Sequence, residues 1–565
     1  MAKCKECTTE FTVKNEDKGF LESISFNFNG KKYLFPDPLT CPRCRARRRM
    51  AWRNERELYR RKCDLCQKAI IAMYRAEAKF PVYCSDCWWG DKWDPYAHGR
   101  DFDFSKPFFE QFMDLHNAVA HFDRAVLEST MENADYCNHA GYLKNCYLLV
   151  NADESEQCLY GKGMNRCFDC LDCLKIYDCR SCYESVNCTN CTFCTYLIDC
   201  HNSNDCHFGA NLVGCSDCFG CVNLRNKQYH IYNKPYSKEE YQEKVAQIRA
   251  EKTQTQLWED FKITRKTHPV KWMREKQTEN CTGDYLAQCK DCFECYDCEY
   301  LENSKYCNDL KKGDKISFEN YDISYFGMGV DRSYESSVAG YNTNHIAFCE
   351  NVWQSYDVLY SMLCVSGSHD LFGCFGLKKG EYSVLNKKYS REEYNKLVPK
   401  IIEHMRRAGE WGEFFPISSS PLGYNESTAN EHYPMSKAEV LAKKWQWHEE
   451  KEPDYSHISK KIKASLAPPD ISKVPDEVLN WALICEKSGR LFQIQKAELV
   501  FYRKMNLSLP LYHPDLRHNM RNGLRNERKL YERPCSKCGS MITTTYKPNS
   551  LEQVYCQKCY LQAIY

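Results

Sequence analysis

Between Cys137 and Cys221 the chain repeats with a period of three. All sixteen cysteines in this stretch stand at multiples of three from one another. The positions between them in the same register hold Ala, Leu, Ser, Gly, Met and Ile, with no charge and no aromatic ring. The other two registers carry Asp, Asn, Tyr, Lys and Thr, as a solvated surface should. A long strand alternates with period two and a helix with period 3.6, so neither element accounts for the pattern. Stacked coils with short, bent sides do account for it, because each turn buries its inward residues against its neighbours. Cys137, Cys158, Cys179, Cys200 and Cys221 are each 21 residues apart, as are Cys146, Cys167 and Cys188. These spacings predict a β-solenoid over residues 133–250 with coils of about 21 residues.

A second, looser array is expected over residues 279–408. Cys289, Cys292, Cys295, Cys298 and Cys307 keep the spacing by three, and later positions slip register and place Ser, Gly, Val and Ala. Both arrays end alike, since residues 221–241 lie on residues 374–394 at a constant shift of 153. Each ending predicts a strand followed by a helix opened by Ser237 or Ser390, with Glu240 or Glu393 three residues later as a capping box. Such an ending covers the last strand against unwanted pairing. Residues 101–132 read as an aromatic and helical connector, 251–278 as a helical connector, and 409–474 as a Pro-containing linker with a helix at 437–450. A further helix is expected at 475–486.

Outside the arrays, cysteines occur in C-x2-C knuckles. Cys4, Cys7, Cys41 and Cys44 form one set, Cys63, Cys66, Cys84 and Cys87 a second, and Cys535, Cys538, Cys556 and Cys559 a third. A knuckle turns tightly enough to aim two thiolates at one ion, and two knuckles close a tetrahedral S4 site. Three structural Zn2+ ions are therefore expected, in paired zinc ribbons at residues 1–100 and a ribbon module at 475–565. The two modules are copies. Shifted by 472, residues 38–87 lie on 510–559 without a gap and 20 of 50 residues are identical. Under that shift Cys41 meets His513 and Cys44 meets Leu516, and upstream of the aligned segment Cys4 and Cys7 match Cys485 and Ser488, so the first C-terminal site is eroded and no zinc is expected there. The fold class is thus multidomain and mainly β, a cysteine-rich solenoid flanked by zinc ribbons with short helices.

The chain has 38 cysteines in 565 residues and a formal net charge of +2. Cys4 follows Met1 so closely that no signal peptide fits, which predicts a cytoplasmic protein with reduced thiols. No window approaches the roughly 18 apolar residues needed to span a membrane. Three uses of the array cysteines remain open: packing as small hydrophobes, metal ligation along the ladder or at residues 167–173, and disulfides. Ala, Ser, Gly, Leu and Met share their register, which favours packing. His139, His201 and His207 fall in outward registers.

Residues 45–62 hold nine Lys or Arg against two Glu. At helical spacing Arg49, Arg53, Arg56 and Arg60 share one face, an arrangement that could meet phosphates or pair with carboxylates of the ribbons. The first array, with five basic and eleven acidic residues over 133–224, should repel nucleic acid. No P-loop, dinucleotide-binding glycine motif, H-E-x-x-H or G-x-S-x-G is present, so no catalytic constellation emerges.

Segments such as residues 41–49 (CPRCRARRR), 53–63 (RNERELYRRKC), 91–112 and 474–489 resemble a family of uncharacterised proteins of candidate-phyla bacteria, over nearly the whole chain. The resemblance implies a small-celled bacterial host and a cytoplasmic protein, and it implies architecture without a mechanism. The leading functional expectation is a non-enzymatic zinc scaffold whose ribbon modules bind RNA, a ribonucleoprotein or a protein partner. The alternatives are an assembly scaffold using the solenoid surface, metal storage or sensing through the array cysteines, and a polymer-acting enzyme. The last would need a carboxylate pair about 5–10 Å apart in a groove.

Overall fold

The computed structural model describes residues 1–449 and 453–564. In the first array the strands Thr195–Ile198, Asn204–Ala210, Ser216–Phe219 and Gln228–Ile231 run parallel, each paired with the next. Thr195 pairs with His207, Asn204 with Ser216 and Ser216 with Gln228, a register of twelve. Single bridges from Val150–Lys162 to Val213–Arg225 keep the same step. The rung is therefore twelve residues long, where the cysteine spacing predicts about 21. Because 21 is not a multiple of 12, Cys137, Cys158, Cys179, Cys200 and Cys221 fall on different sides of successive rungs. The residues that stack are Cys146, Cys158, Cys170, Cys182, Cys194, Cys206 and Cys218, and the register pairs Cys206 with Cys218 directly.

Backbone geometry explains the period of three. From His139 to Asn226 every third residue has a positive φ near 50–60°. Of these thirty positions eight are Asn, six Asp and three Gly, and none is β-branched, as the left-handed region requires. A left-handed residue at every third position divides each twelve-residue step of the register into four short segments. The left-handed residue also turns the carbonyl preceding it towards the core, where the next inward side chain meets it. Cys170 Sγ donates to the Phe168 carbonyl at 3.4 Å and Cys200 Sγ to that of Ile198 at 3.4 Å. Ser155 and Ser185 make the same bond to Asp153 and Tyr183 at 2.9 and 3.1 Å. Cys and Ser can both make this bond, and they share the register with Ala, Gly, Leu, Met and Ile, which fill it by packing alone. None of the 38 cysteines is joined in a disulfide.

The second array is a twelve-stranded sheet running from Glu275–Lys276 to Lys387–Lys388. Its register steps are 12 at Gly283–Cys295, 16 at Leu301–Ser317 and 13 at Phe318–Asp331. The extra residues are the slips visible in the sequence. Both arrays end as expected, in an antiparallel hairpin (His230 with Pro235, Val384 with Lys387) and a helix, Lys238–Glu251 or Arg391–Ala408. Ser237 with Glu240 and Ser390 with Glu393 form the capping boxes.

Three helical expectations need correction. The basic segment 45–62 is not one helix: Pro42–Met50 is helical, and Tyr59–Lys62 is a strand. The helix expected at 437–450 covers only Lys437–Ala442, and Glu450 lies outside the described residues. At 475–486 a 3-10 turn, Asp476–Asn480, precedes a strand, Ala482–Ile484. The connector helix Phe108–Ala118 places Phe108 and Phe112 in a core shared with Phe20 and Trp52 of the N-terminal module and with Tyr334, Tyr360 and Phe372 of the second array. In the C-terminal module Val478, Phe501 and Tyr502 pack instead on Tyr160 and Tyr183 of the first array. Each module thus builds its apolar core on the array more distant from it in sequence. Among the described residues no helix is long and apolar enough to cross a membrane.

Candidate metal centres and the cleft between the ribbon modules

All three predicted cysteine sets are brought together. In each set the four sulfurs lie within 4.8 Å of one another. Sγ–Sγ separations are 3.7 Å for Cys7–Cys41 and 3.8 Å for Cys66–Cys84 and for Cys538–Cys556. Tetrahedral S4 coordination at about 2.3 Å per metal–sulfur bond requires an edge of about 3.8 Å. Backbone N–H groups point at the sulfurs: Cys41 donates to Cys4 Sγ at 3.3 Å, Cys84 to Cys63 Sγ at 3.3 Å and Cys556 to Cys535 Sγ at 3.2 Å. Four sulfurs closed on each other would leave no position for a substrate, so each group could hold a structural metal ion. Among the described residues no other group gathers three metal-ligating atoms this closely. Burial pushes the array thiols of Cys349 and Cys374 up to about 12, which keeps them protonated. At the eroded site Ser488 N–H donates to Cys485 Sγ at 3.5 Å, and His513 caps the helix Pro514–Asn522 by accepting from the Asp515 N–H at 3.2 Å.

The arginines take a different place from the one their spacing suggests. Arg49 is fully buried, its Nη1 donating to Asp322 at 3.2 Å and to Glu335 at 3.0 Å. Arg45 reaches Asp322 at 2.7 Å, and Arg48 binds Glu335 at 2.6 Å and also Glu413. Burial favours the neutral acid at Glu335, yet Arg48 and Arg49 hold it below the ordinary carboxylate range. Arg53 turns to Glu55 at 2.8 Å and Asn151 at 2.6 Å, and Arg56 to Asp515 at 3.2 Å. Only Arg60 stays at the surface, donating to the Tyr136 hydroxyl at 2.6 Å. Arg49, Arg53, Arg56 and Arg60 therefore do not form one exposed helical face. The helix stops at Met50, and three of the four guanidinium groups are committed to internal partners.

The C-terminal module repeats the arrangement on the other array. Arg517 and Arg521, the counterparts of Arg45 and Arg49, meet Asp172, and Arg521 also reaches Glu184 at 3.1 Å. Asp172 and Glu184 sit one rung apart, as do Asp322 and Glu335. The following loops then cross over. Arg53 binds Asn151 of the first array, and its counterpart Arg525 binds Asp297 of the second, where Arg528 adds contacts to Asp297 at 2.9 Å and to Asp309. Each module therefore clamps both arrays. His139, an outward residue in sequence, lies under the first clamp with Nε2 3.1 Å from the Asn54 carbonyl oxygen.

Between the two modules lies a half-open cleft of about 1840 Å3, floored by the start of the second array and walled on one side by residues 425–435. The ion pairs Arg43–Glu527 (3.5 Å) and Arg56–Asp515 (3.2 Å) join its walls. Ten Lys or Arg and thirteen Asp or Glu line it. The cleft is built from segments far apart in the chain, and no local motif marks it. The one available signal was the repeated R-N-E-R of residues 53–56 and 525–528, which supplies wall residues from both copies.

No protein-family model, no curated protein and no solved structure matches the chain.

Proposed function

We propose that this protein is a non-enzymatic, zinc-stapled scaffold that presents an assembled surface to a protein partner. The twelve-residue register and the left-handed residue at every third position support two four-sided β-solenoids, their open ends capped by hairpin and helix. Cys4, Cys7, Cys41 and Cys44, then Cys63, Cys66, Cys84 and Cys87, and finally Cys535, Cys538, Cys556 and Cys559 would each hold one Zn2+. A closed tetrahedral thiolate site suits that ion, and its binding supplies folding free energy to ribbons with little core of their own.

The observation that carries the reading is the insertion of Arg45 and Arg49, and of Arg517 and Arg521, into carboxylate pairs of the arrays. Arginines committed in this way act as structural clamps. Their use inside the fold favours a protein partner over nucleic acid, because the basic stripe that would have met phosphates is largely spent on Asp322, Glu335, Glu55 and Asp515. Elemental analysis combined with capture from a native extract tests the reading. Three zinc ions per chain and a co-purifying protein are expected. Fewer than three zinc ions, or nuclease-sensitive nucleic acid as the sole companion, would refute it.

A further inference from the structure

We propose that Cys538 and Cys556 of the C-terminal ribbon form a site of reversible oxidation, where a hydroperoxide joins the two sulfurs in a disulfide and the bound metal is released. This proposal rests on the zinc reading above and sets one of its three sites apart from the other two.

Access is the first argument. The three cysteine sets share one geometry, so a difference between them is informative. In each, the second cysteine of the first knuckle is exposed and lies against the first cysteine of the second knuckle: Cys7 with Cys41 at 3.7 Å, and Cys66 with Cys84 and Cys538 with Cys556 at 3.8 Å. Cys41 and Cys84 are buried, whereas Cys556 is half-buried. Of the three sets, the C-terminal one is where both members of that pair reach the surface. Ser540 Oγ lies 3.4 Å from Cys538 Sγ, where its hydroxyl can donate to a thiolate. Redundancy is the second argument. The N-terminal module holds two complete sets and the C-terminal module one, its other set having decayed to Cys485, Ser488, His513 and Leu516. Losing one ion there leaves that module without a metal.

Position is the third argument and ties the site to the arrays. The strand Gln553–Tyr555 runs directly into Cys556 and pairs in parallel with Pro269–Lys271, which leads into the second array. Beside it Thr544 Oγ1 donates to the Trp272 carbonyl at 2.6 Å, Thr545 Oγ1 to Asp284 at 2.8 Å and Arg274 Nη2 to the Tyr546 hydroxyl at 2.7 Å. Structural zinc supplies folding free energy to such a ribbon, so its release loosens the strand from which the second array begins. The chemistry balances with the peroxide as the sole oxidant. The Cys538 thiolate attacks the peroxide and displaces hydroxide or alkoxide, which leaves a sulfenic acid. The Cys556 thiolate then attacks the Cys538 sulfur and displaces hydroxide. Two thiolates have given two electrons to the O–O bond, and two protons complete the water and the alcohol, or two waters from hydrogen peroxide. The disulfide takes two of the four ligands from the ion, and a dithiol reductant restores them.

The test uses full-length protein isolated with three zinc ions, hydrogen peroxide as the oxidant and the chelating dye pyridylazoresorcinol to record free zinc. One zinc ion per chain is expected to leave roughly ten-fold faster than the other two, with Cys538 joined to Cys556 in peptide mass spectra and faster hydrogen exchange over residues 269–271. Dithiothreitol with added zinc should reverse all three changes. No ligand is substituted, so the outcome does not depend on a variant that folds. The proposal is overturned if the three sites lose zinc at equal rates, if Cys7–Cys41 or Cys66–Cys84 oxidises first, or if zinc leaves with Cys538 and Cys556 unjoined. Those outcomes leave the zinc reading standing, because three ions were present at the start. A protein isolated with fewer than three ions overturns that reading, and the proposal with it.

Discussion

Arg49 and Arg521 stand at equivalent positions in two copies of one module, and each buries its guanidinium against carboxylates one rung apart on opposite arrays. Arg49 meets Asp322 and Glu335 of the second array, and Arg521 meets Asp172 and Glu184 of the first. The clamps explain why these arginines persist in both copies while three cysteines of the first set, Cys7, Cys41 and Cys44, are matched by Ser488, His513 and Leu516 in the second. Docking onto the array needs the helix and its arginines. It does not need the metal, provided other contacts hold the helix.

Removing one partner of a buried ion pair leaves a charge in the interior without compensation. Arg49→Gln should therefore destabilise the protein by about 3–5 kcal/mol, read as a lower urea midpoint. Zinc content should stay at three. An Arg49→Gln variant with parental stability would show that the clamp carries no load.

Zinc removal should act module by module. Cys535→Ser is expected to leave two zinc ions per chain and to expose the backbone around the strands Tyr531–Pro534 and Met541–Thr544 to hydrogen exchange. Cys485→Ser, at the eroded site, should leave the metal count at three. Elemental analysis beside exchange mass spectrometry checks both variants.

In the cysteine ladder, size and a donor matter more than sulfur. Cys170→Ser can renew the bond to the Phe168 carbonyl and should cost no more than about 1.5 kcal/mol. Cys170→Leu adds volume between Cys158 and Cys182 and should cost about 1–3 kcal/mol. Thermal melts of the two variants decide the matter. Equal and severe losses, or release of a metal by either, would contradict the packing account.

Glu350 predicts a pH effect. It is buried, its carboxyl is hydrogen-bonded by Asn351, and burial pushes it from 4.5 up to about 8. The folded protein holds this proton more tightly than the unfolded chain does. The associated stability is therefore present in full below about pH 4.5 and is lost as pH rises towards 8, a change on the order of a few kcal/mol. Glu350→Gln should flatten stability against pH across that interval and be the more stable protein at pH 8. Parallel curves for parent and variant would refute the assignment.

Much of the architecture can be read from the residues alone, because the information is local. A knuckle of two cysteines three residues apart announces its geometry wherever it occurs, and the three S4 sets assembled as their spacing predicts. The inward register, the capping boxes at Ser237 and Ser390, and the duplication at a shift of 472 are likewise properties of short segments or of direct comparison. The coil length was equally present, in seven cysteines from Cys146 to Cys218 spaced by twelve. It was masked because, with an inward residue at every third position, 21 and 12 both return to the same register. Backbone pairing distinguishes them, since Thr195 pairs with His207 and Asn204 with Ser216, a step of twelve.

The arginines mark what tertiary structure decided. Helical spacing placed Arg49, Arg53, Arg56 and Arg60 on one surface, yet a charge's role depends on what faces it. Asp322 and Glu335 lie nearly 300 residues away, brought beneath the helix by the strand pairing of the second array. The cleft is of the same kind. It exists only because two modules 472 residues apart clamp the same pair of arrays, and no segment contains that information by itself. Local sequence specifies backbone turns, knuckles and inward positions through short-range sterics and bonding, whereas pairing between distant charges follows only from the completed three-dimensional packing.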